Sequence, residues 1–220
     1  LGLNSKLKAS TEHPLILYLA DFDFNGDQEQ VLTYYDRGSY KSFATMDELV
    51  RQLPSIRKKY HSYHDFASAD IKDVFDPNVL DTAVQLVAYQ LANCYFEQVA
   101  PMRFEMHALP LSGQVSTIEK GMATNLDRDP EPEVTVVGNF FPVNIQLGRY
   151  DASPGFVLDF PDGKPVVIPP RESGLVAFGQ CQNVVQINSP HYGPLFVVGR
   201  NNDSMLCFGL SPVTVPDSKQ

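Results

Sequence analysis

Hydrophobic and polar positions change their spacing twice along this chain of 220 residues. Near the start, two short apolar runs at 15–20 and 31–35 flank an acidic segment, which predicts two β-strands joined by a loop. From residue 43 to about 100, the apolar positions follow helical spacing instead. From residue 103 onward, short apolar runs return, separated by glycine, proline and aspartate. The pattern predicts a mainly β protein with an α-helical insertion at 43–100.

Two helix starts are marked within that insertion. Thr45 and Glu48 have the spacing of a capping box, in which each side chain bonds the backbone of the other residue. Pro54 is expected to bend or end the helix that follows. Asp76 before Pro77 marks a second start, because proline is tolerated at the first helical position. The apolar positions after it predict a longer helix with one buried stripe, formed by Leu80, Ala83, Val84, Val87, Leu91 and Cys94.

The strand signals after residue 103 are short and numerous. They lie at 103–109, 134–139, 156–160, 165–168, 184–187, 195–199 and 205–208. The first of them alternates polar and apolar residues, which is typical of a half-buried strand. Many short strands with turn residues between them favour a β-sandwich, barrel or propeller. The helical segment is then an insertion within a single segment that spans residues 1–220.

The most specific motif is the acidic segment DFDFNGDQE at 21–29. Oxygen-bearing side chains at its positions 1, 3 and 5, glycine at position 6 and an acid at position 9 suit a hard cation such as Ca²⁺. The alternative is an acidic hairpin turn without a metal, in which the carboxylates would repel one another. The predicted ligands are the side chains of Asp21, Asp23, Asn25 and Glu29 and the backbone carbonyl of Asp27.

The same nine positions also match the start of an EF-hand loop, so the twelfth position is decisive. An EF-hand needs a bidentate glutamate there, and this chain has Leu32. The flanking segments are also predicted strands, not helices. We therefore interpret the motif as a calcium loop that joins two β-strands.

A second acidic segment, NLDRDPEPE at 125–133, repeats much of this pattern before another apolar strand. Proline replaces the glycine at position 6, and proline cannot adopt the positive φ that glycine allows. Weak or no metal binding is therefore expected at this degenerate second loop, whose candidate residues are Asn125, Asp127, Asp129, Glu131 and Glu133. The repetition of loop and strand indicates stacked structural units, as in propeller blades.

Charge and composition limit the classes of partner. Acidic residues number 26 against 17 basic ones, for a net charge of -9, which disfavours binding to nucleic-acid phosphates. No apolar run reaches the roughly 18 to 20 residues that span a bilayer. The chain begins at Leu1 without methionine or a signal peptide, so we expect a piece of a longer protein. Cys94, Cys181 and Cys207 show no CxxC pattern, and buried free thiols are favoured over a disulfide between the last two.

The loop and strand at 21–35 and the segments at 2–10, 52–60, 148–153 and 199–204 resemble a known family. The loop is similar to the FG-GAP/VCBS repeat of β-propellers. The other segments are similar to the C-terminal part of large secreted proteins with such repeats, in the ASPIC/UnbV (cartilage acidic protein-like) group. The resemblance covers nearly the whole chain.

This resemblance implies blades of antiparallel strands, structural Ca²⁺ in the loops between strands, and a binding or scaffolding role. It also implies an extracellular, periplasmic or cell-surface location, and it supplies no catalytic residues. About three blade-like units fit the chain, whereas a propeller typically has about four to eight blades. The expected architecture is a partial β-propeller whose ring is completed by further blades of a parent chain or by a second copy. The implied calcium ligands are Asp21, Asp23, Asn25, Asp27 and Glu29.

The leading hypothesis for function is a non-enzymatic, calcium-binding propeller segment that recognises a protein or a glycan. The alternative is an extracellular glycan-active enzyme or a carbohydrate-binding module. Arg149 is a candidate ligand-binding residue, since a guanidinium forks onto paired oxygens, although a contact with Asp151 is favoured. His61 and His64 have a spacing that suits a metal on one helical face, but a polar helix surface is favoured there.

Overall fold

The computed structural model describes residues 1–127, 129 and 131–210. Strands account for 38% of the structure and helices for 18%, and the strands form four antiparallel sheets. The protein is therefore mainly β, as the sequence predicts. The chain divides into two compact units. We call Lys6–Leu91 the N-terminal unit, and we call Leu1–Ser5 together with the described residues from Ala92 to Leu210 the C-terminal unit.

The N-terminal unit contains one four-stranded antiparallel sheet. Its strands are β1 (Leu15–Ala20), β2 (Glu29–Asp36), β3 (Ser39–Ser42) and β4 (Val84–Ala88), in the order β3-β2-β1-β4. At the start of β2, the buried residues Glu29, Val31 and Thr33 alternate with the more exposed Gln30 and Leu32, as successive side chains of a strand point to opposite faces. The two strands predicted near the start of the chain are confirmed.

Five short helices lie between β3 and β4. They are α1 (Met46–Gln52), α2 (Ser55–Lys59), α3 (Tyr63–Ser68), α4 (Ile71–Val74) and α5 (Pro77–Thr82). Their apolar residues pack against Tyr18 and Val31 of the sheet, and the helical members of this core include Met46, Leu49, Ile56, Phe66, Ile71, Val74 and Leu80. In the described part of the chain, no helix is long and apolar enough to cross a membrane.

Both predicted helix starts are confirmed. The N–H of Glu48 donates to Thr45 Oγ1 at 3.4 Å, and the N–H of Thr45 donates to Glu48 Oε2 at 2.8 Å. Helix α1 then ends at Gln52, two residues before Pro54. Asp76 caps α5 with Pro77 at its first turn. These starts were predictable because a capping box and an N-cap proline act within a few residues.

The predicted continuation of that last helix to Cys94 is wrong beyond Thr82. Val84–Ala88 forms β4, and Cys94–Ala100 forms the next strand, β5. β4 pairs with β1, and Leu86 lies opposite Leu17. Short apolar runs satisfy helical and strand spacing alike. The pairing with β1, which is distant in sequence, decides in favour of the strand.

The C-terminal unit holds the remaining strands in three sheets. β5 pairs with β6 (Arg103–Ala108). The next sheet, in the order β10-β9-β8-β7, consists of β7 (Ile118–Thr124), β8 (Glu133–Gly138), β9 (Phe156–Asp159) and β10 (Val166–Ile168). The last sheet, after the short helix α6 (Pro170–Ser173), consists of β11 (Cys181–Ser189), β12 (Gly193–Arg200) and β13 (Leu206–Gly209).

Two apolar clusters stabilise the C-terminal unit. One contains Val137, Val157, Leu175, Ala177, Cys181, Val184 and Val198, and the other contains Leu109, Val136, Phe156 and Leu158. Every strand predicted after residue 103 is present, and β7 is an additional strand. The expectation that β6 is half-buried is wrong, since nearly all its residues are exposed. β6 belongs to a two-stranded sheet, and consecutive residues on both of its faces are exposed.

Candidate metal centre

The loop between β1 and β2 brings three of the predicted ligands together. One carboxylate oxygen from each of Asp21, Asp23 and Glu29 lies within 4.8 Å of the others. Glu29 is the first residue of β2 and is only 7% exposed. Its Oε2 accepts a hydrogen bond of 2.9 Å from the N–H of Phe22. Glu29 is therefore buried at the start of β2, where its side chain is hydrogen-bonded to the loop backbone.

Hydrogen bonds from the loop backbone hold the rest of the motif in place. The carboxylate of Asp21 accepts from the N–H of Asn25 at 3.0 Å and from the N–H of Gly26 at 2.8 Å. Asn25 Oδ1 accepts from the N–H of Asp27 at 2.7 Å. Gly26 has φ +96, a conformation that glycine adopts without strain. The chain therefore turns back on Asp21 at the glycine of the motif.

The carboxylates of this loop lie close together, and one of their oxygen atoms has no hydrogen-bond partner in the part of the chain that the structure describes. Asp23 Oδ1 is buried and has no hydrogen-bond partner among the described residues. A buried polar atom without a partner costs about 1–3 kcal/mol, and more when it is charged. The neighbouring carboxylates of Asp21 and Glu29 add repulsion. A divalent cation bound between the oxygens would remove both costs.

The second acidic loop, between β7 and β8, repeats this arrangement in the C-terminal unit. Carboxylate oxygens of Asp127, Asp129 and Glu133 lie within 4.8 Å of one another. Glu133 is the first residue of β8, is 3% exposed, and accepts a hydrogen bond of 2.5 Å from the N–H of Leu126 through Oε2. Its Oε1 is buried without a hydrogen-bond partner in the described part of the chain. In both loops, a backbone N–H of the loop thus donates a hydrogen bond to a buried glutamate that begins the next strand.

The exposed side of the second loop is ordered by its own polar groups. The N–H of Asp129 donates to Asp127 Oδ1 at 3.0 Å, and the N–H of Glu131 donates to Asp129 Oδ1 at 2.8 Å. The amide of Asn125 donates to the backbone carbonyl of Asp129. Pro130, on which the expectation of weak binding depends, lies outside the described residues. That expectation stays a prediction.

The other candidate residues belong to neither acidic cluster. His61 precedes α3, whereas His64 lies inside it, and both are exposed, so the two do not share one helical face. The guanidinium carbon of Arg149 lies 5.0 Å from the centre of the Phe141 ring, a cation–π contact that the sequence did not suggest. The Arg149 side chain is therefore partly occupied with packing.

The three cysteines are free. Cys181 is buried, Cys94 is intermediate and Cys207 is exposed. The preference for free thiols over a disulfide is thus confirmed, whereas the expected burial is confirmed for Cys181 and wrong for Cys207. Cys207 lies on β13, where its side chain is on the exposed face of the strand.

A cleft beside the first loop was missed from the sequence. It has a volume of about 410 Å³ and is lined by Asn25, Asp27, Gln28, Glu29, Gln30 and Gln52. Gln52 is the last residue of α1, so it joins the loop only through the fold. The same loop carries Phe24, which has φ 60 and is 79% exposed. The only sign of this cleft in the sequence was the pair of polar residues, Gln28 and Gln30, on either side of Glu29.

Comparisons with protein-family models, with curated proteins and with solved structures gave no match to this chain. The resemblance to FG-GAP/VCBS proteins stays a prediction.

Proposed function

We propose that this chain is a calcium-stabilised recognition or scaffolding segment, with a structural Ca²⁺ in the loop at 21–29. The observation that carries the proposal is the buried, unpartnered Oδ1 of Asp23 within a cluster of three carboxylates. The donors are all oxygens, which Ca²⁺ prefers, whereas structural Zn²⁺ takes cysteine and histidine ligands. Calcium also tolerates the irregular geometry of a loop.

Five residues of the loop would supply the ligands. Asp21, Asp23, Asn25 and Glu29 contribute side-chain oxygens, and Asp27 contributes its backbone carbonyl. The cation neutralises the clustered carboxylates and fixes the connection between β1 and β2. Because only the folded loop binds it, the ion stabilises the protein by mass action, by about 2.7 kcal/mol when free calcium is 100 times the Kd.

A second, weaker calcium site at 125–133 is part of the same proposal. It is supported by the buried, unpartnered Oε1 of Glu133 and by the nearby carboxylates of Asp127 and Asp129. The latter two residues are exposed, and solvent competes more strongly for exposed ligands. We therefore expect this loop to bind calcium less tightly than the first.

The larger architecture that we propose is a partial β-propeller from an exported protein. Support comes from the sheet β7–β10, in which four consecutive strands pair with their neighbours in chain order, as the strands of a blade do. Each acidic loop also joins two adjacent strands of its sheet. Further blades of a parent chain or a second copy would complete the ring. Calcium is abundant outside the cell, which fits a structural use of the ion.

Thermal unfolding with and without calcium tests the metal proposal. We expect a chelator to lower the Tm, added Ca²⁺ to restore it, and Asp21→Asn to lose most of the calcium-dependent shift. Asp36→Asn is the matched control, because it removes one exposed carboxylate from the last residue of β2, at the opposite end of that strand from Glu29. If the chelator changes the Tm of neither the unsubstituted protein nor Asp21→Asn, the proposal of a structural metal is contradicted.

A further inference from the structure

We propose that the cleft beside the first loop binds a neutral, polyhydroxylated ligand, a carbohydrate, and that the loop cation takes part. This inference rests on the proposed calcium site. The cleft is lined only by residues with carboxamide or carboxylate side chains, which are Asn25, Asp27, Gln28, Glu29, Gln30 and Gln52.

The chemistry of this lining selects among classes of ligand. Carboxamides both donate and accept hydrogen bonds, and so do hydroxyl groups. An apolar ligand would strip water from these polar groups without replacing its hydrogen bonds, which is unfavourable. A phosphate or carboxylate ligand would face Asp27 and Glu29 with no lysine or arginine in the lining. An amine would compete with the loop cation for the same carboxylates, whereas neutral hydroxyls can bind beside it.

The fold presents the amides from two directions. Gln28 and Gln30 are exposed on either side of the buried Glu29, as expected for residues two apart in extended chain. Gln52 comes from the end of α1 and is also exposed. Amides that converge from a strand and a helix can bind two neighbouring hydroxyls of one sugar ring. A single surface glutamine could not fix the orientation of such a ring.

Phe24 is not among the lining residues but directly precedes Asn25, which is one of them. Phe24 is the fourth residue of the loop, its side chain is 79% exposed, and its φ of 60 is unusual for a bulky residue. An exposed ring is a platform for the C–H face of a pyranose.

The proposed cation has room for oxygens from a ligand. Calcium takes about six to eight oxygen ligands, and the loop would supply five, from Asp21, Asp23, Asn25, Asp27 and Glu29. The remaining positions are open to water or to two adjacent hydroxyls. Because Asn25 and Asp27 belong both to the ligand set and to the cleft lining, a hydroxyl bound to the cation would lie beside the amides.

The test is a titration of the whole chain with four probes, the methyl glycosides of mannose, galactose, glucose and fucose. Calcium binding is first measured by calorimetry on the same sample. In excess calcium, ¹H–¹⁵N spectra then follow the side-chain amides of Gln28, Gln30 and Gln52. We expect at least one glycoside to shift these signals, and a chelator to remove the shift.

Substitutions locate the binding. We expect Gln30→Ala and Gln52→Ala each to weaken glycoside binding about tenfold, the effect of losing one good hydrogen bond, with calcium affinity unchanged. Phe24→Ala should weaken it by a similar factor. The matched controls are Gln182→Ala and Phe96→Ala, which alter an exposed glutamine and an exposed phenylalanine of the C-terminal unit and should leave binding unchanged.

Three results would overturn the proposal. Calcium binding without a shift from any glycoside would remove the carbohydrate site and leave the metal site intact. Glycoside binding that survives both glutamine substitutions would lie elsewhere on the protein. Equal glycoside binding in chelator would show that the cation has no part in it. Absence of calcium heat in the first step would instead contradict the proposed function itself.

Discussion

The three cysteine side chains differ in burial and therefore in the reactivity of their thiols. Cys181 is fully buried, and its Sγ lies 3.2 Å from the carbonyl oxygen of Ala177, to which the thiol donates. Burial raises the pKa of the Cys181 thiol, and Arg200 offsets this rise only in part. Burial also raises the pKa of Cys94. The nucleophile in thiol chemistry is the thiolate, so both residues are held in the less reactive form.

Thiol labelling should therefore follow exposure. With an aromatic disulfide reagent near pH 8, we expect Cys207 to react quickly in the folded protein and Cys181 to react only after denaturation. A folded-state pKa above the usual value means that the thiolate of Cys181 forms at higher pH than in the unfolded chain. Cys207→Ser should remove the fast phase. Rapid labelling of Cys181 in native protein would contradict the burial of this thiol.

The Asn139 side chain links several strands of the C-terminal unit through hydrogen bonds. Asn139 follows β8, has φ 81 and is fully buried. Its Nδ2 donates to the carbonyl of Ser153 at 2.7 Å and to that of Gly179 at 2.9 Å, and its Oδ1 accepts from the N–H of Ser153 at 3.0 Å. One side chain thus ties the end of β8 to the segments that lead into β9 and β11.

Substituting this asparagine should separate its two roles. Asn139→Ala leaves buried backbone groups unpaired and places alanine at positive φ, so we expect a loss of about 2–4 kcal/mol in the free energy of unfolding. Asn139→Gly should lose less, because glycine accepts the backbone conformation. Asn202→Ala is the control, since Asn202 is exposed at φ 55 and only the strain changes. Urea unfolding measures all three variants, and equal losses at 139 and 202 would refute the linking role.

The same elements explain what the sequence could and could not predict. The cap at Thr45, the first strand and the loop at 21–29 depend on residues close in sequence, and all three have the expected local form. β4 depends on pairing with β1, so helical spacing in its apolar run misled the prediction. The cleft depends on Gln52, which reaches the loop only after α1 has packed on the sheet.

Each of the two compact units contains one of the proposed metal sites. The N-terminal unit contains the loop at 21–29, and the C-terminal unit contains the loop at 125–133. Each unit also has a separate apolar core. In both loops, the buried glutamate is the residue that connects the acidic cluster to a core strand. Calcium should therefore act on each unit through its own hairpin.

Hydrogen exchange measured by mass spectrometry tests this division on the full chain. With calcium, we expect slower exchange in the hairpins β1–β2 and β7–β8, because a bound ion suppresses local opening. Asp21→Asn should abolish the calcium effect only in β1–β2, and Glu133→Gln should abolish it only in β7–β8. The two variants control for each other, since each removes one carboxylate from an equivalent loop. If either substitution removes the calcium-dependent protection from both hairpins, the two loops do not act separately. If calcium protects neither hairpin in the unsubstituted protein, neither loop is a metal site.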